Sequence, residues 1–263
     1  MEALATGYGL LEAPTVDGEG GVLFSDVFGG GVNRWSRDRP IETVVPKRRG
    51  IGGMCLHADG GLVVSGRDVA HVKNGESRTI FALEGVAGFN DLTAGPDGSV
   101  YAGALRFMPF AGEQPVPGEI WKIGPAAEPE ELFGGIDWPN GIGFSPDGGT
   151  MYVADFASGE VIAYDGETHL FATSPSGDAD GLAVDREGGV WVATGSGREI
   201  VRFAPSGELE HILEVPADFV SSLCFGGDDG RDLYVTTVGT LFRTRVEVAG
   251  LALPSSRVEP KGP

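Results

Sequence analysis

The sequence predicts an all-β fold, a six-bladed β-propeller, and three observations carry that expectation. Its 44 glycines are dispersed along 263 residues, many beside Asp or another Gly, as tight turns between many short strands require. One strand–turn–strand pattern returns at a spacing near 40 residues, with about four short strands per copy. Near-continuous apolar runs, such as Met151 to Ala154 and Val190 to Ala193, suit sheets covered on both faces.

The copies run in order along the chain. EAPTVDGEGGVLFSD (12–26) is the first and least regular. It is followed by GGMCLHADGGLVVSG (52–66), NDLTAGPDGSVYAGA (90–104), NGIGFSPDGGTMYVAD (140–155), DGLAVDREGGVWVAT (180–194) and SSLCFGGDDGRDLYVTT (221–237). Each reads small or polar residue, apolar strand, acidic-glycine turn, apolar strand. A third, more polar strand follows most of them: GVNRWS, EIWKIG, EVIAYDG, EIVRFAPSG and TLFRTRV. The copies begin near residues 12, 53, 90, 140, 180 and 221, and the long third interval contains an insertion, RFMPFAGEQPVPGE (106–119). Helix periodicity is weak throughout. Segments 2–11 and 241–253 are strand-like and are expected to pair, making 1–263 a single domain with no exposed sheet edge at the closure. A two-sheet sandwich is the competing all-β fold, but it leaves the fixed period unexplained.

Composition narrows the function. The apolar fraction of 41% is ample for a core at this length. A net charge of −19 argues against nucleic-acid and anionic-membrane partners, which need Lys/Arg clusters. Lys47-Arg48-Arg49 is too small a cluster to make such a face. Cys55 and Cys224 sit in apolar strands and read as buried free thiols. The segment MEALATGYGLLEAP has no basic or apolar leader pattern, and no apolar run approaches the ~18–20 residues of a membrane helix, so a cytoplasmic location is expected. The four histidines show no zinc spacing, and no GxSxG elbow, P-loop or dinucleotide fingerprint stands in a fitting context.

Four polar residues stand at matching repeat positions: Glu12, Asn90, Asn140 and Asp180. In a propeller the innermost strand lines the central channel, so Glu12, Asn140 and Asp180 are expected to converge there. Two carboxylates and an amide oxygen suit a hard cation such as Ca²⁺, with coordination positions left open. Each anchor has a plainer reading. Asn-Gly and Asp-Gly are ordinary turn dipeptides, and Glu12 before Ala-Pro is compatible with a surface position.

The chain resembles the senescence-marker/gluconolactonase (regucalcin-like) family over nearly its whole length, from LLEAP to LFRTRVEVAGL. The resemblance is carried by Glu12 with Pro14, Phe89-Asn90-Asp91, Asn140-Gly141 before FSPDG, Asp180-Gly181 before Trp191-Val192-Ala193, and 221–237. It implies a six-bladed propeller with one divalent metal in its channel, most often Ca²⁺, with Zn²⁺, Mn²⁺, Mg²⁺ and Fe²⁺ known for members. It also implies that Glu12, Asn140 and Asp180 hold the metal while Asn90 reaches substrate or water. The expected activity is opening of a lactone by Lewis-acid activation of its carbonyl and attack by water, with Asp180 either the general base or only orienting water that the metal activates. Phosphotriester hydrolysis, hydrolysis of a hydrophobic metabolite on the same metal, and a non-catalytic calcium-binding propeller are the alternatives. Expected partners are a small lactone or ester, with no nucleic acid and no membrane, and the protein is expected to be a monomer or weak oligomer. One departure bears on substrate. Sugar-lactone members commonly carry Arg two residues before the Asn of the FND tripeptide, and this chain has Gly88 there. Phe107, Met108, Phe110, Trp138 and Phe156 are expected around the mouth, with Arg106 as the substitute donor.

Overall fold

A computed structural model describes residues 1–260. They form 22 strands. Strand β1 (Glu2–Val16) pairs with β2 (Val22–Asp26), followed outward by β3 (Gly31–Ser36) and β4 (Arg39–Pro46). Next come β5 (Met54–Leu56), β6 (Leu62–Val64), β7 (Val69–Lys73) and β8 (Glu76–Phe81), a four-stranded antiparallel meander. Three more meanders have the same form. One is β9 (Gly88–Ala94), β10 (Val100–Leu105), β11 (Gly118–Ile123) and β12 (Pro129–Ile136). Another is β13 (Pro139–Phe144), β14 (Met151–Asp155), β15 (Glu160–Tyr164) and β16 (Thr168–Thr173). The last is β17 (Leu182–Val184), β18 (Val190–Ala193), β19 (Glu199–Phe203) and β20 (Leu209–Glu214), after which β21 (Val220–Gly226) and β22 (Asp232–Arg245) complete the chain's strands.

The expectation of six blades is corrected: counted as continuous hydrogen-bonded sheets, the propeller has five. The first and last copies merge into one six-stranded sheet, ordered β21-β22-β1-β2-β3-β4. The cause is the length of two strands. In β1, Glu2 to Leu10 pairs with β22, and Leu11 to Val16 pairs with β2. In β22, Asp232 to Thr237 pairs with β21, and Val238 to Arg243 pairs with β1. Hydrogen bonding therefore passes from the last copy to the first without an interruption.

Apolar side chains of neighbouring sheets interdigitate. Leu23 and Val32 pack with Met54 and Leu62, and Cys55 and Val63 pack with Phe89 and Leu92. The two ends of the six-stranded sheet also fold against each other, burying Leu11, Val22 and Phe24 with Cys224, Tyr234 and Leu241. The Asp-Gly pairs act as hairpin formers: Asp97 and Asp147 accept backbone N–H groups two residues on, from Ser99 and Gly149, and Gly98 and Gly148 take positive φ. Between β17 and β18, the fully buried Asp185 gathers Trp191 Nε1 at 2.7 Å and Arg202 Nε at 2.8 Å, with backbone N–H groups of Glu187 and Gly189. After β22 the chain crosses one face of the molecule. It bonds backbone to backbone with Val184, Leu56, Gly98 and Pro125 in turn. Among the described residues no helix is long and apolar enough to cross a membrane.

Candidate active site

One structural irregularity is repeated at the anchors: Asn90, Asn140 and Asp180 stand in it and Glu12 directly precedes it. In the β1–β2 ladder Glu12 pairs with Ser25 and Thr15 with Leu23, so Ala13 and Pro14 together oppose Phe24. In β9–β10, Asn90 and Asp91 oppose Gly103. In β13–β14, Asn140 and Gly141 oppose Ala154. Before β17, Asp180 N and Gly181 O both bond Ala193. Two residues against one is a β-bulge, which bends the strand and re-aims a side chain. Asn90, Asn140 and Asp180 are each the first residue of such a bulge, and Glu12 is the last regularly paired residue before one.

The dipeptides Asn140-Gly141 and Asp180-Gly181 are not turns. Neither Asn140, Asp180 nor the two glycines takes positive φ. The glycines are needed because adjacent inner strands touch there. Gly141 N donates to Asp180 O at 3.1 Å, and Gly181 N to Ser221 O at 2.8 Å. A Cβ at Gly141 would collide with Leu182 N, and one at Gly181 with the Ser222 side chain.

The anchors meet in a low-dielectric setting. Glu12, Asn140 and Asp180 are 8%, 7% and 2% exposed. Burial pushes the Glu12 carboxyl well above its ordinary range, and the negative charges of Asp180 and Asp91 push it further. Burial likewise raises Asp180, helped by Asp91 and Asp178; the Asn140 amide and the Gly181 N–H act the other way. Asp91 rises to about 7 through burial, partly offset by backbone N–H groups of Leu92 and Ile142. Asp180 Oδ1 is buried with no hydrogen-bond partner. No Lys, Arg or His among the described residues pairs with Glu12, Asp91 or Asp180. Mutually repelling buried acids with an orphaned oxygen and no cation are costly.

These anchors open into a cavity of about 330 Å³, lined by Glu12, Asn90, Asn140 and Asp180 together. Asn90 is fixed by its amide nitrogen, which donates to Pro139 O at 3.0 Å. The rest of the wall is largely carbon: Leu10, Val27, Leu105, Met108, Phe110, Trp138, Phe156 and Phe219. The aromatic rings follow one another around the rim in T-shaped and tilted contacts. Phe110 lies 5.3 Å from Phe28 and 6.2 Å from Trp138; Trp138 lies 4.6 Å from Phe156, which lies 6.2 Å from Phe219. Of the expected mouth residues, Phe107 is buried behind Trp138 at 5.0 Å and does not line the cavity. A second cavity of about 310 Å³ lies past Asp91, backed by Leu251 to Pro254, but it contains none of the four anchors.

Arg106 is not brought to this cavity. Its guanidinium grips Glu119 through Nε and Nη2, each 2.8 Å from Oε1, and its Nη1 donates to Gly85 O. The cation that does line the cavity is Arg67. It lies three residues past the end of β6, in the loop to β7.

The chain matches the SMP-30/Gluconolactonase/LRE-like region over residues 10–239. It belongs to that family. The family's regucalcin of Xenopus laevis is 29% identical over 238 residues, 83% of this chain and 79% of its own length. Pentonolactonase XacC of Haloferax volcanii is 32% identical over 218 residues, 78% and 71%. L-arabinolactonase of Azospirillum brasilense is 43% identical over 107 residues, 37% of this chain and 35% of its own. Among solved structures, a calcium-binding regucalcin of Agrobacterium tumefaciens superposes with a TM-score of 0.83 at 23% identity, covering 97% of each chain. At that identity the likeness speaks for the fold alone.

The donors at the anchors suit a hard cation. Two carboxylates and an amide oxygen are hard ligands, and the orphaned Asp180 Oδ1 wants a positive partner. The set contains only two acids, and among the described residues no three His, Cys, Asp or Glu side chains cluster as a fully protein-made cage. A cation here would keep open positions.

Proposed function

We propose that this protein is a divalent-metal-dependent lactonase, with Glu12, Asn140 and Asp180 as the metal ligands and Asn90 on the substrate side. The observation that carries the proposal is the orphaned Oδ1 of Asp180 beside a second buried acid, at the floor of a cavity sized for a small ring. The named lactonases among its relatives support the reaction class.

A divalent cation, when bound, supplies Lewis acidity toward the substrate carbonyl oxygen. The other roles belong to this chain's side chains. Asp180 accepts a proton from water as the water oxygen attacks the carbonyl carbon. The ring C–O bond then breaks, and Asp180 returns the proton to the leaving alkoxide, giving a hydroxy acid. The Asn140 amide, beside the Asp180 carboxyl, favours its charged form. Asn90, pinned by Pro139, holds the ring or the attacking water. The carbon wall excludes bulk water, which strengthens each of these interactions.

The reaction is tested with a panel of γ- and δ-lactones, aryl esters and a phosphotriester, with Ca²⁺, Mn²⁺ or Zn²⁺ added to chelator-stripped protein. Metal-restored ring opening supports the proposal. Turnover of the phosphotriester alone would transfer the site to the rival hydrolase, and turnover of nothing, with cation binding intact, would leave a binding propeller.

A further inference from the structure

We propose that the cavity selects a substrate carrying both an apolar group and an anionic group, with the anion paired to Arg67 and the apolar group laid against the Phe110–Trp138–Phe156–Phe219 arc. This rests on the lactonase reading for the reaction, while the selectivity stands on the cavity itself.

Among the described residues Arg67 is the only cation lining the cavity, and it is exposed. It makes no hydrogen bond or ion pair among the described residues, in a chain with 38 acids and 19 bases. Its neighbour Asp68 is already taken by Arg48 at 2.7 Å and by Thr79. The backbone beside Arg67 is fixed: Gly66 and Phe89 exchange N–H···O bonds of 3.2 and 2.7 Å, which ties Arg67 to the wall that carries Asn90. Gly88 faces the same spot. Its φ is +156°, and a Cβ on it would stand 2.7 Å from Gly66 O. That leaves no room for a side chain, so the cationic function of this wall falls to Arg67.

The remaining polar groups narrow the class. Asn90 spends its amide nitrogen on Pro139, and the Asn140 amide lies beside the Asp180 carboxyl, whose proton affinity it lowers. A polyhydroxylated ring would therefore meet carbon at most of its hydroxyls, each left without a partner at a cost. A single carboxylate matches the planar fork of a guanidinium, and an aryl or alkyl group matches the ring arc. Phe110 holds φ +63° while two-thirds exposed, a backbone state unusual for a bulky residue, and this keeps its ring over the mouth. The net charge of −19 repels anions only over about one Debye length, so the local guanidinium governs inside the mouth.

The experiment uses γ-phenyl-γ-butyrolactone with and without a para-carboxylate, glucono-δ-lactone, and the inert acid 4-phenylbutyrate beside its neutral amide. Hydrolysis is followed in Ca²⁺-loaded wild type, Arg67→Gln and Arg67→Lys, and binding of the inert pair is followed by calorimetry. Wild type should prefer the carboxylated lactone over the neutral one by about tenfold or more in kcat/KM, as expected for a charge-assisted pair. Arg67→Gln should abolish that preference and Arg67→Lys restore part of it, with 4-phenylbutyrate affinity following the same order. Equal rates on both phenyl lactones, a preference that survives in Arg67→Gln, or a preference for glucono-δ-lactone would overturn the inference. Arg67-dependent binding of 4-phenylbutyrate with no hydrolysis of any lactone would uphold the selectivity and refute the lactonase reading instead.

Discussion

The residue that concentrates the chemistry is Asp180. It is 2% exposed, its carboxyl lies under the influence of the Asn140 amide, and its Oδ1 has no hydrogen-bond partner. Asp180→Ala removes both a ligand and the proposed base, and kcat on the best lactone should fall by about 10²-fold or more. Steady-state hydrolysis measures this, with circular dichroism to show that the fold survives. Glu12→Gln keeps the shape but removes a charge. Calcium affinity by calorimetry should weaken by at least about tenfold, since lesser changes to a metal's surroundings already cost that much. All four anchors were legible from sequence because they sit at one position in different repeats. Arg67 was not read, because nothing in a linear sequence says which loop of a blade faces the channel. Arg106 was picked for its nearness to an aromatic insertion, and Glu119, only 13 residues on, holds its guanidinium.

At the scale of the element, the bulge is what turns a repeat into a site. Bulges leave little trace in sequence, so Asn-Gly and Asp-Gly read equally well as turns until the strand register is known. The glycines give a direct check. Gly141→Ala would drive a methyl into the backbone of the next inner strand, and urea denaturation should show a loss of about 1–3 kcal/mol. A second check lies away from the cavity. Asp185→Ala would leave the Arg202 guanidinium buried without its carboxylate, though Glu210 keeps one contact, and the expected loss is about 3 kcal/mol. Strand content and hairpins were legible because alternating apolar runs and Asp-Gly turns are local signals. Where one sheet ends and the next begins is not local. The lengths of β1 and β22, which merge the outer copies into one sheet, depend on pairing between the two ends of the chain.

For the whole molecule, the buried acids link stability to pH and to metal. Folding raises the pKa values of Glu12, Asp91 and Asp180. Between the ordinary carboxylate range and the raised values the folded state holds more protons than the unfolded chain, so stability falls as pH climbs through that window. For Asp91 the window runs from 3.8 to about 7. Chelator-stripped protein should therefore lose stability from these groups between about pH 5 and pH 8, and the Tm gain from added Ca²⁺ should be larger at the higher pH. Differential scanning calorimetry at the two pH values measures both. Equal gains would mean that the cation does not bind at these carboxylates. The central claim is that one cation, held by Glu12, Asn140 and Asp180, is required for ring opening. Its most direct test is lactone hydrolysis by chelator-stripped protein titrated with Ca²⁺ or Mn²⁺, in wild type and Asp180→Ala. The account predicts no turnover without metal, recovery that saturates at one cation per chain in wild type, and no recovery in the variant. Full activity in the stripped protein, or undiminished activity in Asp180→Ala, would contradict it.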